Sequence, residues 1–353
     1  MKPNLLLSAL FVFFIIVSGC KKDAPIESIE PKPGDFPKQL TQDNLEYRAF
    51  LSPDGKYIAF YSMRYTFNPE ESGINFELWI MNSDGFDQWR LVTLNSIYPE
   101  TKATFLYWAD DSKSMIVQID DGYYNGRNSE IWSIAIDGKK AKIFAPNLHL
   151  EKLSYSPDRT RIVYLVYGNS QQSGNAVDSL YVSNADFSNR VLIEAGESFG
   201  EFNWQADSKS LIYSLYDLQN KNFDLWKCKV DGTGKSRFSE TPESKEYFSI
   251  SSDGKYLAYS VNKSTYITPS EKFLPKLILN DASSPYWIPN RNLLLVYNEQ
   301  TDGNGSYWGV NWLIDTNGNI IKKFPKGVGV SFSTNSKYYL YTQDGNIWID
   351  YLP

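Results

Sequence analysis

Histidine is almost absent: His149 is the single one in 353 residues. A metal centre built from several histidines is therefore excluded, and only chemistries using one His or none remain open. Cysteine is nearly as scarce, with Cys20 and Cys228 alone, so no disulfide framework holds a small secreted scaffold together. Basic residues are in deficit, 35 Lys+Arg against 41 Asp+Glu for a net charge of −6. Nucleic acid is not an expected partner of such a surface. The apolar run Leu5–Val17 has 13 residues, too short to span a bilayer. What remains is a chain with 42% hydrophobic and 22% charged residues, the composition of a folded globular protein and not of a disordered one.

The first twenty residues read as an address. Lys2 supplies a positive start, the apolar run follows, and Val17-Ser18-Gly19-Cys20 closes it with small residues before a cysteine. The ending resembles the bacterial lipobox, in which the signal is cut just before a lipidated cysteine. Residues 1–19 are then a lipoprotein signal peptide and Cys20 the lipidated N-terminus, anchored to the membrane and not spanning it. Lys21 follows, not the Asp that often retains lipoproteins in the inner membrane, so the resemblance implies the outer membrane, on either its periplasmic or its outer side. Residues 20–37 contain four prolines and no apolar period, and read as an extended tether reaching about 50 Å at roughly 3 Å per residue.

From 38 to 353 the chain repeats. A turn signal recurs seven times, at Asp54-Gly55-Lys56, Asp111-Ser112-Lys113, Asp158-Arg159-Thr160, Asp207-Ser208-Lys209, Asp253-Gly254-Lys255, Asn290-Arg291-Asn292 and Asn335-Ser336-Lys337. The intervals are 57, 47, 49, 46, 37 and 45 residues, the period of β-propeller blades. Three residues before each turn stands Leu51, Trp108, Tyr155, Trp204, Ile250, Trp287 or Phe332. Four after it stand Ile58, Met115, Ile162, Leu211, Leu257, Leu294 and Tyr339, with further apolar residues at the fifth and sixth places. A strand apolar at successive positions is covered on both faces, as the middle strands of a blade are. A second signature, an aromatic residue five places before Asp or Asn, appears at Trp79 with Asp84-Gly85, Trp132 with Asp137-Gly138, Tyr181 with Asp186, Trp226 with Asp231-Gly232 and Trp312 with Asn317-Gly318. Asp-Gly and Asn-Gly favour tight hairpin turns.

The run Leu51-Ser52-Pro53-Asp54-Gly55-Lys56-Tyr57-Ile58-Ala59-Phe60, followed by Leu78-Trp79-Ile80-Met81-Asn82-Ser83-Asp84-Gly85, resembles the WD-like repeat of TolB-type β-propellers. The resemblance implies an all-β, seven-bladed propeller of four-stranded blades a to d; six blades remain the alternative if the short fifth repeat merges with its neighbours. The seventh repeat supplies three strands, near 328–333, 337–342 and 346–351, and Lys38-Gln39-Leu40-Thr41 resembles a strand d. The expectation is that residues 38–41 pair at the outer edge of blade seven and close the ring.

Chemical motifs are weak. Gly196-Glu197-Ser198-Phe199-Gly200 matches the pattern of a hydrolase nucleophile elbow, but it falls between strands, and the one His precedes it. Propeller peptidases share such repeats, yet the chain has no room for their hydrolase domain. Oligogalacturonate lyases share a TolB-like propeller, which implies a multi-histidine metal site that this chain cannot reproduce. A glycosidase needs two facing carboxylates; Asp110, Asp111, Asp120, Asp121, Glu201 and Asp217 are raw material without a spacing that pairs them. Asp302-Gly303-Asn304-Gly305-Ser306 lacks the distal Glu of a calcium loop. Cys228 alternates with Lys227 and Lys229, so it is expected to point inward beside Trp226 and Val230 as an inert thiol. No cofactor and no metal are expected.

One asymmetry bears on function. The b-to-c connections share a face of the disc and read as the long ones, at 63–76, 120–129, 168–179, 216–223, 262–275 and 299–307. They carry Arg64, Tyr65, Phe67, Tyr123, Tyr124, Arg127, Tyr216, Tyr266, Phe273 and Tyr307, with Trp308 at a strand edge. Tyr, Trp and Arg are enriched at binding hot spots, and long loops on a rigid scaffold are where binding is built; the same residues could instead pack on one another. Two functional readings follow. The first is a membrane-anchored, non-enzymatic binding or scaffold component of the bacterial envelope with a protein partner. The alternative is a surface lipoprotein that binds a glycan or degrades it with carboxylates in the central funnel.

Overall fold

The architecture grows from one turn. Ser52, Ser156 and Ser251 each accept, through Oγ, the backbone N–H of the residue five places on, at 3.0 Å. Each also donates to the following Asp carboxylate, at 2.7 Å. The residue after that Asp takes a left-handed φ in blades one to five: 73° at Gly55, 57° at Ser112, 60° at Arg159, 56° at Ser208 and 71° at Gly254. Such a turn folds the chain straight back, and it sets the register of the second strand in these blades. Ile58, Met115, Ile162, Leu211, Leu257, Leu294 and Tyr339, four places after the turn residue, are all 0% exposed.

The structure is a computed structural model describing residues 36–352 except 69–70, 94–101, 121–128, 145–149, 167–176, 240, 246, 302–306, 326–328 and 334–336. Its strands form seven separate four-stranded antiparallel sheets. Blade one comprises Glu46–Leu51, Tyr57–Asn68, Glu71–Asn82 and Trp89–Thr93. Blades two, three and four repeat the pattern within 102–144, 150–196 and 199–237. Blade five is complete, with Phe248–Ile250, Tyr256–Val261, Ser264–Pro269 and Lys276–Leu279, which settles the count at seven. Blade six follows within 283–323. Blade seven takes Gly329–Phe332, Tyr338–Gln343 and Asn346–Tyr351 from one end of the propeller sequence, and Lys38–Gln39 from the other as its outer strand.

That closure has the expected form. Lys38 lies opposite Ile349 and Gln39 opposite Trp348. Leu40 N–H donates to the Ile347 carbonyl at 2.8 Å, and the Thr41 hydroxyl accepts the Ile347 N–H at 2.9 Å. Leu40 is 7% exposed, set among Leu51, Ile58, Phe60, Leu340, Ile347 and Ile349 from blades one and seven.

The core is divided. The buried apolar residues form seven clusters, one at each seam between neighbouring blades. Polar stitches cross the seams at intervals: the Trp108 indole donates to the Phe50 carbonyl at 3.0 Å and the Trp204 indole to the Ser154 carbonyl at 3.1 Å. Toward the outer edge a carboxylate, an aromatic ring and a cation recur together. Glu77 accepts from Trp79 Nε1 and from Arg90, both at 2.9 Å. Glu130 does the same with Trp132, at 2.9 Å, and Lys142, at 2.5 Å.

Two outcomes test this account. Leu40→Ala should lower unfolding free energy by about 2–4 kcal/mol through lost burial and an unfilled cavity, measured by urea titration; an unchanged midpoint would contradict closure by 38–41. The second concerns acid. Asp158 is held down to about 2 by the Ser156 hydroxyl, then by the N–H and hydroxyl of Thr160. Asp137, Asp186, Asp231, Asp253 and Asp315 are also lowered, first by a side-chain donor and then by backbone N–H groups. Because the folded values lie below the unfolded aspartate range, their contribution is complete above that range and lost as protons bind. Unfolding free energy should therefore drop as pH falls from about 4 to about 2, and Asp158→Asn should make the drop shallower.

Candidate functional site

Strand a is innermost in each blade, so the seven a strands line the central channel. In blades one, two, three, four and six this strand carries a register shift. A bulge of this kind re-aims side chains. At Arg48 (φ 51°) and Ser284 (φ 50°) it places a residue other than glycine in the left-handed region, and both residues are exposed.

On the side of blades four, five and six the channel wall opens into a groove of about 450 Å³. Glu201, Asn203, Tyr247, Ser249, Ser284 and Tyr286 are among its lining residues. Tyr286 is 52% exposed and Tyr247 45%, so both side chains reach solvent inside a concave wall. Desolvation by the surrounding protein pushes the Tyr286 phenol above its ordinary range. Glu201 is the one carboxylate of the lining among the described residues, and Lys152 of blade three holds it at 3.0 Å. Among the described residues the groove thus offers rings, hydroxyls, an amide and one ion-paired acid, a set suited to binding.

The opposite feature is convex. In blade one, strand a pairs as far as Glu46 with Ser62, and beyond it Arg64–Asn68 pair only with Glu71–Asn75 among the described residues. These five rungs form a ribbon standing about 16 Å above the blade at roughly 3.3 Å per residue. In blade six, Asn298–Thr301 pair with Tyr307–Val310 beyond the last rung to strand a, a second ribbon of about 13 Å. Between them blade seven turns back at Asp344-Gly345, with φ of 52° and 70°, the two-residue turn that leaves no overhang.

The sequence-predicted residues distribute as follows. Arg64, Tyr65 and Phe67 lie on the blade-one ribbon, not on a loop, opposite Asn75, Ile74 and Ser72. Tyr307 and Trp308 begin strand c of the blade-six ribbon, opposite Thr301 and Gln300. Tyr216 pairs with Phe223, with ring centroids 5.2 Å apart. Tyr123, Tyr124 and Arg127 lie outside the described residues, as do Cys20, His149 and 302–306.

Two assignments are corrected. The stretch 262–275 is not a b-to-c loop: Asn262-Lys263 alone make that turn, and Ser264–Pro269 is strand c. Tyr266 therefore belongs to the blade, stacked on Tyr259 at 5.5 Å. Phe273 sits in the c-to-d connection on the opposite face of the disc, 6% exposed, against Phe238 and Tyr259 at 5.7 Å each. Apolar rings at those places gain more from the contact between blades four and five than from solvent.

The chemical motifs resolve structurally. Gly196 ends one strand and Phe199 begins the next, so the elbow pattern has no strand-to-helix turn. Asp111 caps the Lys113 N–H at 2.9 Å, Asp110 faces Arg159 at 3.7 Å, and Asp217 caps Gln219 and Asn220 at 2.8 and 3.3 Å. Cys228 is 1% exposed in the core of blades three and four, and burial pushes its thiol up to about 11; it packs with Trp226 and Val230 as expected. No group of three His, Cys, Asp or Glu among the described residues is placed to hold a metal. No helix among them is long and apolar enough to cross a membrane. The channel groove is the feature that sequence reasoning missed. Its signal is the residue just before the apolar one preceding each turn, which is Asn203, Ser249 and Tyr286 in blades four to six.

No family model matches the chain, and no curated protein does. Solved structures do. TolB from Acinetobacter baumannii is similar at 16% identity and a TM-score of 0.50, over 76% of this chain and 63% of that one. An oligogalacturonate lyase in complex with manganese aligns at 13% identity and 0.60, over 89% and 92%. A puromycin-hydrolyzing peptidase of Mycobacterium tuberculosis aligns at 9% and 0.57, over 86% and 59%. The chain thus spans less than two thirds of the length of the TolB and peptidase chains. The fold is a TolB-like seven-bladed β-propeller, and at these identities the likeness is one of fold.

Proposed function

We propose that the protein is a non-enzymatic binding component of the bacterial envelope, held at the outer membrane by a lipidated Cys20, and that its ribbon face engages a protein partner. The observation that carries this reading is the direction of the chain at Lys38–Gln39. The strand enters the blade at the face of the a-to-b turns, where Lys38 Nζ donates to the Asp84 carbonyl at 2.8 Å and Phe36 packs on Tyr338 at 5.8 Å. It then runs toward the ribbon face, where Asn44 accepts from Asn346 at 2.5 Å. The described chain therefore begins on the face opposite to the ribbons of blades one and six. A partner can meet those ribbons without competing with the membrane for the same surface. The similarity to TolB adds the fold to this reading and nothing about the partner.

Affinity purification of the lipidated protein from its own membranes tests it. The comparison is a variant in which residues 64–75 are replaced by Asn-Gly, a tight turn that preserves the blade. A stoichiometric protein should be recovered with the wild type and lost with the trimmed ribbon; equal recovery with both would exclude the blade-one ribbon as the docking element.

A second reading is favoured by the channel groove. Exposed Tyr247 and Tyr286 beside Glu201 and Asn203 match the needs of a saccharide, an aromatic platform with flanking hydrogen-bonding groups. Soluble envelope oligosaccharide should then raise Tm, and Tyr286→Ala should abolish the rise. No shift in the wild type would remove this reading.

A further inference from the structure

The seven seams are variations on one pattern, and the first shows what the fifth leaves out. Between blades one and two, Tyr57 begins strand b and Trp89 begins strand d; their rings meet edge to face at 6.2 Å. The Trp89 indole donates to the Ile136 carbonyl of blade two at 3.1 Å. Ile80, Leu91 and Trp108 enclose it, and Ile80 is its cross-strand neighbour. The seam is filled by an indole from the chain itself.

The equivalent positions between blades five and six are Tyr256, Lys276 and Thr316, enclosed by Ile267, Ile278 and Trp287. Register fixes the correspondence, since Ile267 pairs with Lys276 as Ile80 does with Trp89. These six residues line a cavity of about 300 Å³. Its floor is apolar and closed, with Ile267 8% and Trp287 4% exposed. Two of its polar groups are uncommitted: among the described residues Lys276 has no ion-pair partner and the Thr316 carbonyl has no donor. Tyr256 is 46% exposed with no ring against it, whereas Tyr338, at the same place in blade seven, has Phe36 at 5.8 Å. The buried Trp287 indole N–H is also unpartnered, although Trp108 and Trp204 at the same place in their blades both donate across the seam.

We propose that this cleft is a binding site for a small, flat aromatic acid of indole type. The ring takes the berth that Trp89 fills in the first seam, between the edge of Tyr256 and the Ile267–Ile278 floor. A ring N–H donates to the Thr316 carbonyl, as the Trp89 indole does to that of Ile136. The acidic group reaches the ammonium of Lys276, whose exposed side chain lines the same cavity. A cavity of this size with an apolar floor and a few converging polar groups is of the kind that holds small ligands.

Indole-3-acetate and neutral indole, titrated against the full chain and read by saturation-transfer NMR and Tm, test the site. The wild type should bind the acid saturably, with a Kd on the order of 1 mM or below for a ligand of this size. Lys276→Trp restores the seam-one pattern; it should keep or raise the unliganded Tm and abolish binding. Lys276→Ala should weaken the acid about twofold to fivefold, the value of an exposed ion pair, and leave neutral indole unchanged. Should K276W fail to fold, Lys276→Phe blocks the same berth with a smaller ring. Absence of saturable binding to the wild type at about ten times that Kd, or undiminished binding to a folded blocked variant, would overturn the proposal.

Discussion

The pairing of Lys38 and Gln39 with blade seven governs everything else in this molecule. A ring of blades has no ends on which to rest, and each blade buries its faces only against its two neighbours. With the outer strand of blade seven in place, every seam is covered and the last sheet has four strands like the rest. Leu40 makes the link more than a matter of hydrogen bonds, because it lies in the seam between the first and last blades and joins both to the segment that closes them. The core is accordingly distributed over seven clusters, each depending on two sheets.

How much of this was legible in the sequence varies by position. The residue four places after each turn was readable because it is buried on any blade. A Ser-x-Asp turn also announces itself by residue type, since its hydrogen bonds need that hydroxyl and that carboxylate. Blade five misled in one strand only. Its b-to-c turn places Asn262 and Lys263 at φ of 46° and 63° without a glycine, and Tyr266 lacks the Asp-Gly five places on. A strand with neither flanking signal reads as loop. The ribbons were missed for a different reason: the alternation of residues 64–75 is that of any strand, but nothing local says that the hairpin continues past the end of its neighbour. That information lies in the length of strand a, which is set by the preceding connection.

The same contrast separates scaffold from function. Positions that repeat seven times are blade, and their chemistry is settled by packing. Positions that differ between blades, namely the ribbons of blades one and six, the exposed tyrosines of the channel wall and Lys276 in place of Trp89, cost the ring little to vary because each lies at the edge of a seam or outside it. A propeller therefore separates stability from specificity more cleanly than a fold with one core.

The closing strand has a mechanical side. Phe36, where the described chain begins, stands on the face opposite the ribbons. Tension applied there, away from the ribbon face, pulls parallel to strand Lys38–Gln39 and at right angles to its hydrogen bonds with Ile347–Ile349. The contacts are then loaded together in shear instead of being peeled one after another, and Leu40, wedged between blades one and seven, must slide out of its seam before the ring can part. A strand of two residues is thus attached in the orientation that resists a pull best.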